Sequence, residues 1–349
     1  MTQVPPAPLP LADLAHVVRH AETALRSLNA RRILLTGGTG FFGMWLVESF
    51  LYARNALALG AELTVLTRNV QRALEKSPQL RRAEGLTFLE GDVRSARLRA
   101  RHDLVIHAAT TAATAVPDEE TASTIIDGTT NVLREISAWG AERFLYVSSG
   151  AVYGPQPRDL ERVAEDFIPS HDAAMTVYGR AKRAAEALAI DAQRSGLSVS
   201  VARPFTFVGP HLPLTGPFAI GNFLSSVIDG RAIDVTGDGS PVRSYLYAAD
   251  LVAWLWTVLV SGAPGVAYNV GSDEPVNIAT LAHMLGDRYG LSVSIRGAAE
   301  PTVKPLRYVP DISRTRALGL SVQITLDDAV ERAVRWSRSR RGQRVIDRS

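Results

Sequence analysis

The stretch that decides the fold is ILLTGGTGFFG, residues 33–43. An apolar run leads into three glycines, Gly37, Gly40 and Gly43, and the helix-like segment MWLVESFLYA follows them. Glycines between a strand and a helix let the backbone approach a pyrophosphate closely, and the helix N-terminus stabilises its negative charge. Glycine-rich turns also occur without a ligand. The position at the first strand-to-helix crossover nevertheless favours a dinucleotide site.

Short apolar strands alternate with helical segments from residue 31 onward, which predicts a parallel sheet covered on both faces. Strands are predicted at 32–36, 62–67, 86–90, 103–107, 143–147 and 198–202, and helices at 41–54, 118–139 and 175–195. The expected fold class is α/β: a Rossmann-type, doubly wound parallel sheet with a smaller C-terminal α/β substrate lobe.

Four parts are predicted along the chain. Residues 1–30 form an N-terminal helical extension, because 11–29 carries apolar residues at helical spacing. Residues 31–205 form the dinucleotide-binding domain. Residues 206–338 are mainly the substrate-binding lobe, with some segments returning to the first domain, and residues 339–349 are a basic tail.

Composition narrows the possible classes of function. The 349 residues include no cysteine, which excludes disulfides and thiolate chemistry. No apolar run approaches the roughly 20 residues of a membrane helix, and MTQVPPAPLP lacks the basic and apolar segments of a secretory signal. We therefore expect a cytoplasmic protein with no membrane partner. The late arginines of RWSRSRRGQR could bind nucleic acid or anionic lipid, but no aromatic residues interleave with them, which favours a solvated end and no nucleic-acid partner.

The end of the second predicted strand, ELTVLTRN at 62–69, indicates which dinucleotide is bound. An acidic residue at this end would hydrogen-bond the ribose hydroxyls of NAD. Here Thr67, Arg68 and Asn69 occupy it, and a guanidinium can pair with a 2′-phosphate. Arg68 therefore favours NADP(H), with NAD(H) as the alternative.

Three further residues have the chemistry of a proton-transfer site. In VYGRAKRAAEAL, Tyr178 and Lys182 are four residues apart and share one helical face. A nearby ammonium favours the phenolate, so we expect a lowered pKa for Tyr178 and proton exchange with a substrate hydroxyl. The strand in FLYVSSGAVYG ends at Ser148 and Ser149, where a hydroxyl would face the ligand crevice. Ser149 is expected to bind the same substrate oxygen as Tyr178.

Together these segments resemble the extended short-chain dehydrogenases/reductases, in the NAD(P)-dependent nucleotide-sugar epimerase/dehydratase family. The resemblance runs from residue 31 to about 335. It is carried by TGGTGFFG, GDV, VIHAAT, SSGAVYG, RPFTFVGP, GDGSPVRSYLYAAD, AYNVGSD and RYVPDISRTRALGL, besides the Tyr/Lys pair. It implies an enzyme that modifies a nucleoside-diphosphate sugar, with the lobe 206–338 binding that sugar nucleotide.

The resemblance also implies roles for individual positions. The catalytic residues would be Ser149, Tyr178 and Lys182, and no metal is expected. The cofactor would be bound by Gly37, Gly40, Phe41, Phe42, Gly43, Arg68, Asp92, Val93, Ala108, Ala109, Thr110, Tyr178, Lys182 and Pro204. The substrate would be held by Ser149, Gly150, Thr206, Asn222, Arg243 and Arg307, with Asn222 and the two arginines on its diphosphate. Arginine suits a pyrophosphate because it forms bidentate, charge-assisted hydrogen bonds.

Departures from the family pattern bear on the reaction. The 4,6-dehydratases of the family place an Asp and a Glu after the catalytic hydroxyl residue, where this chain has Gly150 and Ala151. That difference disfavours a standard 4,6-dehydratase, and also the related decarboxylases. Thr206 and Ile125 stand where relatives commonly have Asn, which bears on how the substrate is placed.

Two reactions at hexose C4 need only the three catalytic residues and a nicotinamide: a 4-ketoreductase and a 4-epimerase. Arg68 tilts the choice toward the reductase, because reductases commonly use NADPH. The alternatives are a dehydratase with atypical acid/base residues, an NADPH-dependent reductase of a non-sugar ketone, and a non-catalytic binding protein. By the same resemblance we expect a homodimer packed through helices 118–139 and 175–195, and a place in the synthesis of polysaccharides or glycosylated metabolites.

Overall fold

The computed structural model describes residues 8–110, 117–169, 175–298, 300 and 302–346, with side chains up to residue 339. The predicted basic tail therefore lies almost entirely outside the described side chains. The helices are α1 Leu11–Arg26, α2 Phe41–Ala56, α3 Val70–Lys76, α4 Asp118–Ser137, α5 Val177–Asp191, α6 Ala219–Asp229, α7 Ala248–Ser261, α8 Ile278–Tyr289, α9 Ser313–Arg316 and α10 Leu326–Ile346. Short 3₁₀ helices span Pro78–Arg82, Gly150–Tyr153 and Ala192–Ser195.

The strands are β1 Arg32–Thr36, β2 Glu62–Thr67, β3 Leu86–Glu90, β4 Leu104–His107, β5 Arg143–Val147, β6 Ser198–Pro204, β7 Phe207–Val208, β8 Ile233–Val235, β9 Val242–Arg243, β10 Leu246–Tyr247, β11 Ala267–Val270, β12 Val276–Asn277, β13 Val293–Ile295 and β14 Arg307–Tyr308. Four of the six predicted strands have the predicted bounds. The strand predicted at 103–107 begins one residue later, and β6 continues beyond residue 202. β6 is longer because β11 pairs with it as far as Pro204 opposite Val270, a contact between distant parts of the chain.

Seven strands form one parallel sheet in the order β11-β6-β5-β4-β1-β2-β3. The direction of winding reverses between β1 and β4, and ligands of open α/β sheets bind at the carboxyl ends of the strands at such a point. Leu34 of β1 pairs with Val105 of β4 in the parallel register that aligns those carboxyl ends. The predicted Rossmann-type fold is confirmed.

Helices cover both faces of this sheet because its strands are apolar on both sides. Ile33 and Leu35 belong to the core that packs against α1, α2 and α7, whereas Leu34 belongs to the core under α4 and α5. Helix α7 is almost wholly buried, as its apolar sequence predicts. Helix α1 packs on α7, and its buried Asp13 accepts a hydrogen bond from the hydroxyl of Tyr247, 2.6 Å away.

Smaller sheets follow the main one in the later part of the chain. Strand β9 lies between β12 and β14, β7 pairs with β10, and β8 pairs with β13. The pairing of β14 with β9 sets Tyr308 opposite Arg243. Among the described residues, no helix is both long and apolar enough to cross a bilayer.

Candidate active site

The glycine loop after β1 is packed so closely that side chains would not fit at several of its positions. Gly37 has φ +75°, and a Cβ there would lie 2.6 Å from the carbonyl oxygen of Ala108. A Cβ on Gly43 would lie 2.2 Å from the carbonyl oxygen of Gly37. The loop therefore touches Ala108 and Ala109. The fold thus brings together the glycines and the alanines that are predicted to bind the same cofactor.

The N-terminus of α2 has no described side-chain cap, as a pyrophosphate site requires. Gly40 is its N-cap, and the described side chains provide no capping hydrogen bond. A Cβ on Gly40 would make an ordinary van der Waals contact with the carbonyl oxygen of Gly37, 3.5 Å away, and no closer one. The first amides of a helix have no partner within the helix, which leaves those of Phe41, Phe42 and Gly43 available to an anion. These residues fit the phosphates of a dinucleotide.

An aromatic cluster joins this loop to the segment that follows β6. The ring of Phe207, in β7, lies 4.9 Å from the ring of Phe41 and 4.6 Å from that of Phe42, centroid to centroid. Phe207 was missed by sequence reasoning, although it directly follows the assigned Thr206. The cluster ties the start of α2 to the segment after β6.

A buried chain of hydrogen bonds supports the residues after β4. The amide of Ala109 donates to Thr36 Oγ1 over 3.1 Å, and Thr36 Oγ1 lies 2.7 Å from His107 Nδ1. On the other side of the ring, His107 Nε2 lies 3.0 Å from Thr129 Oγ1, which itself donates to the carbonyl of Ile125 over 2.6 Å. Since Thr129 uses its own proton on Ile125, it accepts from His107, and the imidazole carries its proton on Nε2.

His107 is therefore neutral, and both of its ring nitrogens are engaged in hydrogen bonds that support the residues after β4. Burial and, to a smaller extent, the charge of Lys182 lower its pKa to about 3. The sequence stretch VIHAAT contains this histidine, but nothing in the local pattern indicates its two threonine partners. The carbonyl of Ile125 belongs to this network, and its side chain lies in the core under α4 and α5.

The residues assigned to the adenosine end lie after β2 and β3. Asp92 accepts hydrogen bonds from Arg94, at 2.7 Å from the guanidinium and 2.9 Å from the amide, and these hold the pKa of its carboxyl below the usual range. Arg68 is exposed directly after β2, and its charge also lowers the pKa of Asp92. A Cβ on Gly128 would lie 2.9 Å from the side chain of Val93. Arg94 is a second guanidinium at this end that sequence reasoning missed.

The three predicted catalytic residues meet at the carboxyl end of β5. Lys182 Nζ donates to the carbonyl of Val147 over 2.8 Å and lies 5.9 Å from the centre of the Tyr178 ring. Ser149 Oγ accepts from the amide of Ala151 over 3.1 Å, and its hydroxyl is near enough to that of Tyr178 to lower the pKa of the tyrosine. The Tyr/Lys spacing on α5 and the strand end of β5 together produce this arrangement.

The expected lowering of the Tyr178 pKa is wrong. Burial raises the pKa of Tyr178, and the nearby hydroxyl of Ser149 opposes that effect only in part. Burial also lowers the pKa of Lys182 to about 7, against the charge of Glu186. A lysine that titrates near neutrality carries only part of a positive charge, so it stabilises the phenolate less than a full ammonium would.

A second phenol stands beside this trio. A Cβ on Gly150 would lie 2.5 Å from the hydroxyl oxygen of Tyr308 and 2.9 Å from the ring of Phe205. The rings of Tyr308 and Phe205 are 4.6 Å apart. Tyr308 directly follows Arg307 in the sequence, which gives no sign that it would reach this site, and its neighbour in the sheet is Arg243.

Several residues assigned to the substrate are engaged with the backbone. The hydroxyl of Thr206 donates to the carbonyl of Ser244, Arg243 donates to the carbonyl of Val242 over 2.8 Å, and Arg307 donates to that of Glu161 over 3.3 Å.

The remaining assigned positions lie further apart. Asn222, on α6, donates to the carbonyl of Gly216 over 2.9 Å. Pro204 ends β6, and Thr110 is exposed beside the undescribed residues 111–116. Within the described contacts, neither Asn222 nor Arg68 touches the catalytic residues.

Similarity to known proteins extends over most of the chain. It is 28% identical over 314 residues to UDP-glucuronic acid decarboxylase 1 of Arabidopsis thaliana, covering 88% of this chain and 70% of that protein. It is 29% identical over 324 residues to a dTDP-4-dehydro-6-deoxy-D-allose reductase of a Streptomyces species, covering 88% and 96%. A solved dTDP-glucose 4,6-dehydratase of Streptomyces venezuelae with NAD bound has a TM-score of 0.75 and 27% identity, covering 89% of this chain and 98% of that one.

These similarities confirm the resemblance read from the motifs. The family model described as the NAD dependent epimerase/dehydratase family matches residues 33–271, well over half of the chain. That stretch contains the glycine loop, the Tyr178/Lys182 pair and Ser149. The chain belongs to the NAD-dependent epimerase/dehydratase family.

Proposed function

We propose that this chain is an NAD(P)-dependent oxidoreductase of nucleoside-diphosphate hexoses that acts at C4 as a 4-ketoreductase. One observation carries the proposal: Ser149, Tyr178 and Lys182 are assembled at the crevice, while Gly150 and Ala151 supply no acid or base. The named activities of the relatives, on UDP- and dTDP-linked sugars, support the substrate class. The relative that is a 4-dehydro-sugar reductase supports the reaction.

The proton chemistry is compatible with reduction. Bound dinucleotide supplies the hydride for the C4 carbon of a 4-keto sugar, and the sugar gains two electrons. Tyr178 gives its proton to O4, which becomes the hydroxyl. Because burial raises the pKa of Tyr178, this phenol is protonated at neutral pH and suits a proton donor. A 4-epimerase, which must first remove a proton from O4, needs the phenolate at that step.

The other catalytic residues act on Tyr178 and the ligands. One proton of Lys182 is used by the Val147 carbonyl, so its other two can hold the nicotinamide ribose. As the ammonium, Lys182 stabilises the phenolate that Tyr178 becomes. Ser149, whose hydroxyl lies near that of Tyr178, orients the reacting oxygen.

For the cofactor we propose NADP(H) in preference to NAD(H). An exposed guanidinium, Arg68, follows β2 where NAD-specific sites carry an acid. The carboxylate nearby among the assigned residues, Asp92, is already paired with Arg94, so it does not neutralise Arg68. The solved relative with NAD bound keeps NAD(H) as the alternative.

We also propose a homodimer built on α4 and α5. These two helices pack against each other on one face of the sheet. Near the end of α5, the aliphatic side chains of Leu188 and Ile190 are 38% and 36% exposed. A second copy of the same pair of helices would cover them.

The first test is to denature the purified protein and identify any released dinucleotide by mass spectrometry. NADP, or an empty site that prefers NADPH to NADH, supports the reductase, whereas stoichiometric NAD supports the 4-epimerase. Reduction of dTDP-4-keto-6-deoxyglucose by NADPH, lost in Tyr178→Phe, is the expected activity. If Arg243→Ala and Arg307→Ala together leave ketone reduction unchanged, the substrate is not a nucleotide sugar, because a non-sugar ketone needs no diphosphate contact.

A further inference from the structure

A buried ion pair lies one helical turn beyond Lys182 on α5. Arg203, in β6, donates two hydrogen bonds to the carboxylate of Glu186, from Nε over 3.0 Å and from Nη2 over 2.7 Å. The side chain of Glu186 is 5% exposed and that of Arg203 is 14% exposed. We propose that Arg203 and Glu186 are positioning residues whose ion pair holds Lys182 in the place where it meets the bound dinucleotide. The inference rests on the proposed function for the contact between Lys182 and the nicotinamide ribose.

The guanidinium of Arg203 has further partners besides Glu186. Its Nη1 donates to the hydroxyl of Tyr153 over 2.8 Å and to the carbonyl of Glu165 over 3.0 Å. Its central carbon lies 4.9 Å from the centre of the Tyr153 ring. Four of its five N–H groups therefore have a described acceptor. These contacts determine the plane of the guanidinium, and with it the place of the Glu186 carboxylate.

The hydrogen bonds continue from Tyr153 toward the substrate-binding lobe. A guanidinium can only donate, so Tyr153 accepts from Arg203 and gives its own proton to Asn269 Oδ1, 2.7 Å away. Asn269 Nδ2 donates to the carbonyls of Val163 and Asp311, each over 2.9 Å. Every donor and acceptor of this chain is thus assigned. The ion pair on α5 is connected in this way to the segment that follows β14.

Glu186 and Lys182 fasten α5 to neighbouring strands. Lys182 Nζ donates to the carbonyl of Val147, at the end of β5, and Glu186 accepts from Arg203, near the end of β6. Val147 pairs with Ala202, the residue before Arg203. Residues four apart on a helix share one face, so the two side chains reach adjacent strand ends from the same face of α5. Loss of the ion pair removes one of these two anchors, and the position of Lys182 then depends on its own bond to Val147.

Stability alone does not require a buried ion pair in this place. Two well-packed apolar side chains of similar volume are often as stable or more stable, because they have no charges to desolvate. What the ion pair supplies is direction, since two parallel N–H···O bonds of a guanidinium fix both the distance and the orientation of a carboxylate. A lysine at position 203 would keep the charge and lose this fork. Arg203→Lys therefore separates positioning from charge.

The first test measures dinucleotide binding in two backgrounds, wild type and Lys182→Met, by the fluorescence of NADPH and NADH. Arg203→Lys should weaken binding of the preferred dinucleotide about fivefold in wild type, the equivalent of one hydrogen bond. In the Lys182→Met background it should have no further effect, because it acts through Lys182. Equal weakening in both backgrounds, or none in wild type, would overturn the proposal, since a general loss of packing does not depend on Lys182.

A second variant removes both charges. Glu186→Met alone would leave the guanidinium buried and unpaired, which destabilises the fold. Glu186→Met combined with Arg203→Met leaves no unpaired charge, and it should repeat the binding result of Arg203→Lys in both backgrounds. Urea unfolding shows which variants are folded, and Arg203→Lys decides the outcome if the double variant is not. Wild-type binding by a folded double variant would also overturn the proposal.

The last test measures turnover. Arg203→Lys should lower kcat for NADPH-dependent reduction of dTDP-4-keto-6-deoxyglucose about tenfold and leave KM for the sugar within about twofold, because a small displacement of a catalytic group costs rate. An unchanged kcat would contradict the positioning role. Arg316→Lys is the matched control: Arg316, on α9, makes a second bidentate pair, with Asp273, and its substitution should change neither dinucleotide binding nor kcat. If dinucleotide binding changes as expected but wild type reduces no keto sugar, the proposed reaction is wrong and the positioning role stands.

Discussion

The ammonium group of Lys182 donates a hydrogen bond to the carbonyl oxygen of Val147, 2.8 Å away, at the point where β5 ends. This contact fastens α5 to the strand whose next residues lead to Ser149. It sets Tyr178, one turn earlier on α5, beside that serine. The lysine is almost fully buried to make this contact, and the geometry of the site therefore depends on an amine that is costly to bury.

Replacing Lys182 with methionine should stabilise the folded chain while abolishing hydride transfer. The pKa of Lys182 is about 7 in the folded chain, against 10.5 as the ordinary value. Between these two pH values, Lys182 binds a proton in the unfolded chain but not in the folded chain. Raising the pH therefore relieves the cost of burying Lys182. The gain of Lys182→Met should be about 1–4 kcal/mol at pH 7 and should shrink toward pH 10. Urea unfolding at both pH values measures it, with the exposed Lys76→Met as control, and a less stable variant at pH 7 would contradict the prediction.

Acid should destabilise the fold through His107. Its pKa is about 3 in the folded chain, against 6.5 as the ordinary value. Between these values the unfolded chain binds the extra proton, so each unit of acidification costs up to about 1.4 kcal/mol. His107→Gln should be less stable at pH 7 but should lose less stability between pH 6.5 and 4 than the wild type. The exposed His283→Gln should behave as wild type, and parallel curves for His107→Gln and wild type would refute the assignment.

Gly150 should not tolerate alanine while Tyr308 is present. The added Cβ would lie 2.5 Å from the Tyr308 hydroxyl, and crowding of this kind typically costs about 1–3 kcal/mol. Tyr308→Phe removes that oxygen and should restore part of the lost stability of Gly150→Ala, although the contact with Phe205 remains. Thermal unfolding of the two single variants and the double variant measures the coupling. Additive losses would show that the two positions do not compete for the same space.

Arg68→Ala should weaken the binding of NADPH about tenfold and leave that of NADH unchanged, because only the 2′-phosphate gains a charge-assisted hydrogen bond from the guanidinium. Fluorescence titration with both reduced dinucleotides measures this ratio. Arg72→Ala, on the exposed side of α3, is the matched control for loss of a positive charge. Equal weakening of both dinucleotides would point to a structural role of Arg68 and leave NAD(H) as the cofactor.

Local patterns determined the elements that carry the site. The apolar runs at 32–36 and 143–147, the glycine spacing after β1 and the four-residue spacing of Tyr178 and Lys182 all act over a few residues. Periodicity and turn chemistry are properties of such short segments. The amino-acid sequence by itself therefore predicts the sheet, the glycine-rich start of α2 and the meeting of Ser149, Tyr178 and Lys182.

What only the tertiary structure decided comes from residues far apart in the chain. Tyr308 reaches Gly150 because β14 pairs with β9, and His107 gains Thr36 and Thr129 because β1, β4 and α4 pack together. The protonation of Tyr178 and Lys182 was also decided by the tertiary structure. The spacing of the two residues indicates a lowered pKa for Tyr178, whereas burial raises it. Sequence spacing determines which groups are neighbours, but the loss of water around them depends on every element packed over the site, and that loss sets which group holds the proton.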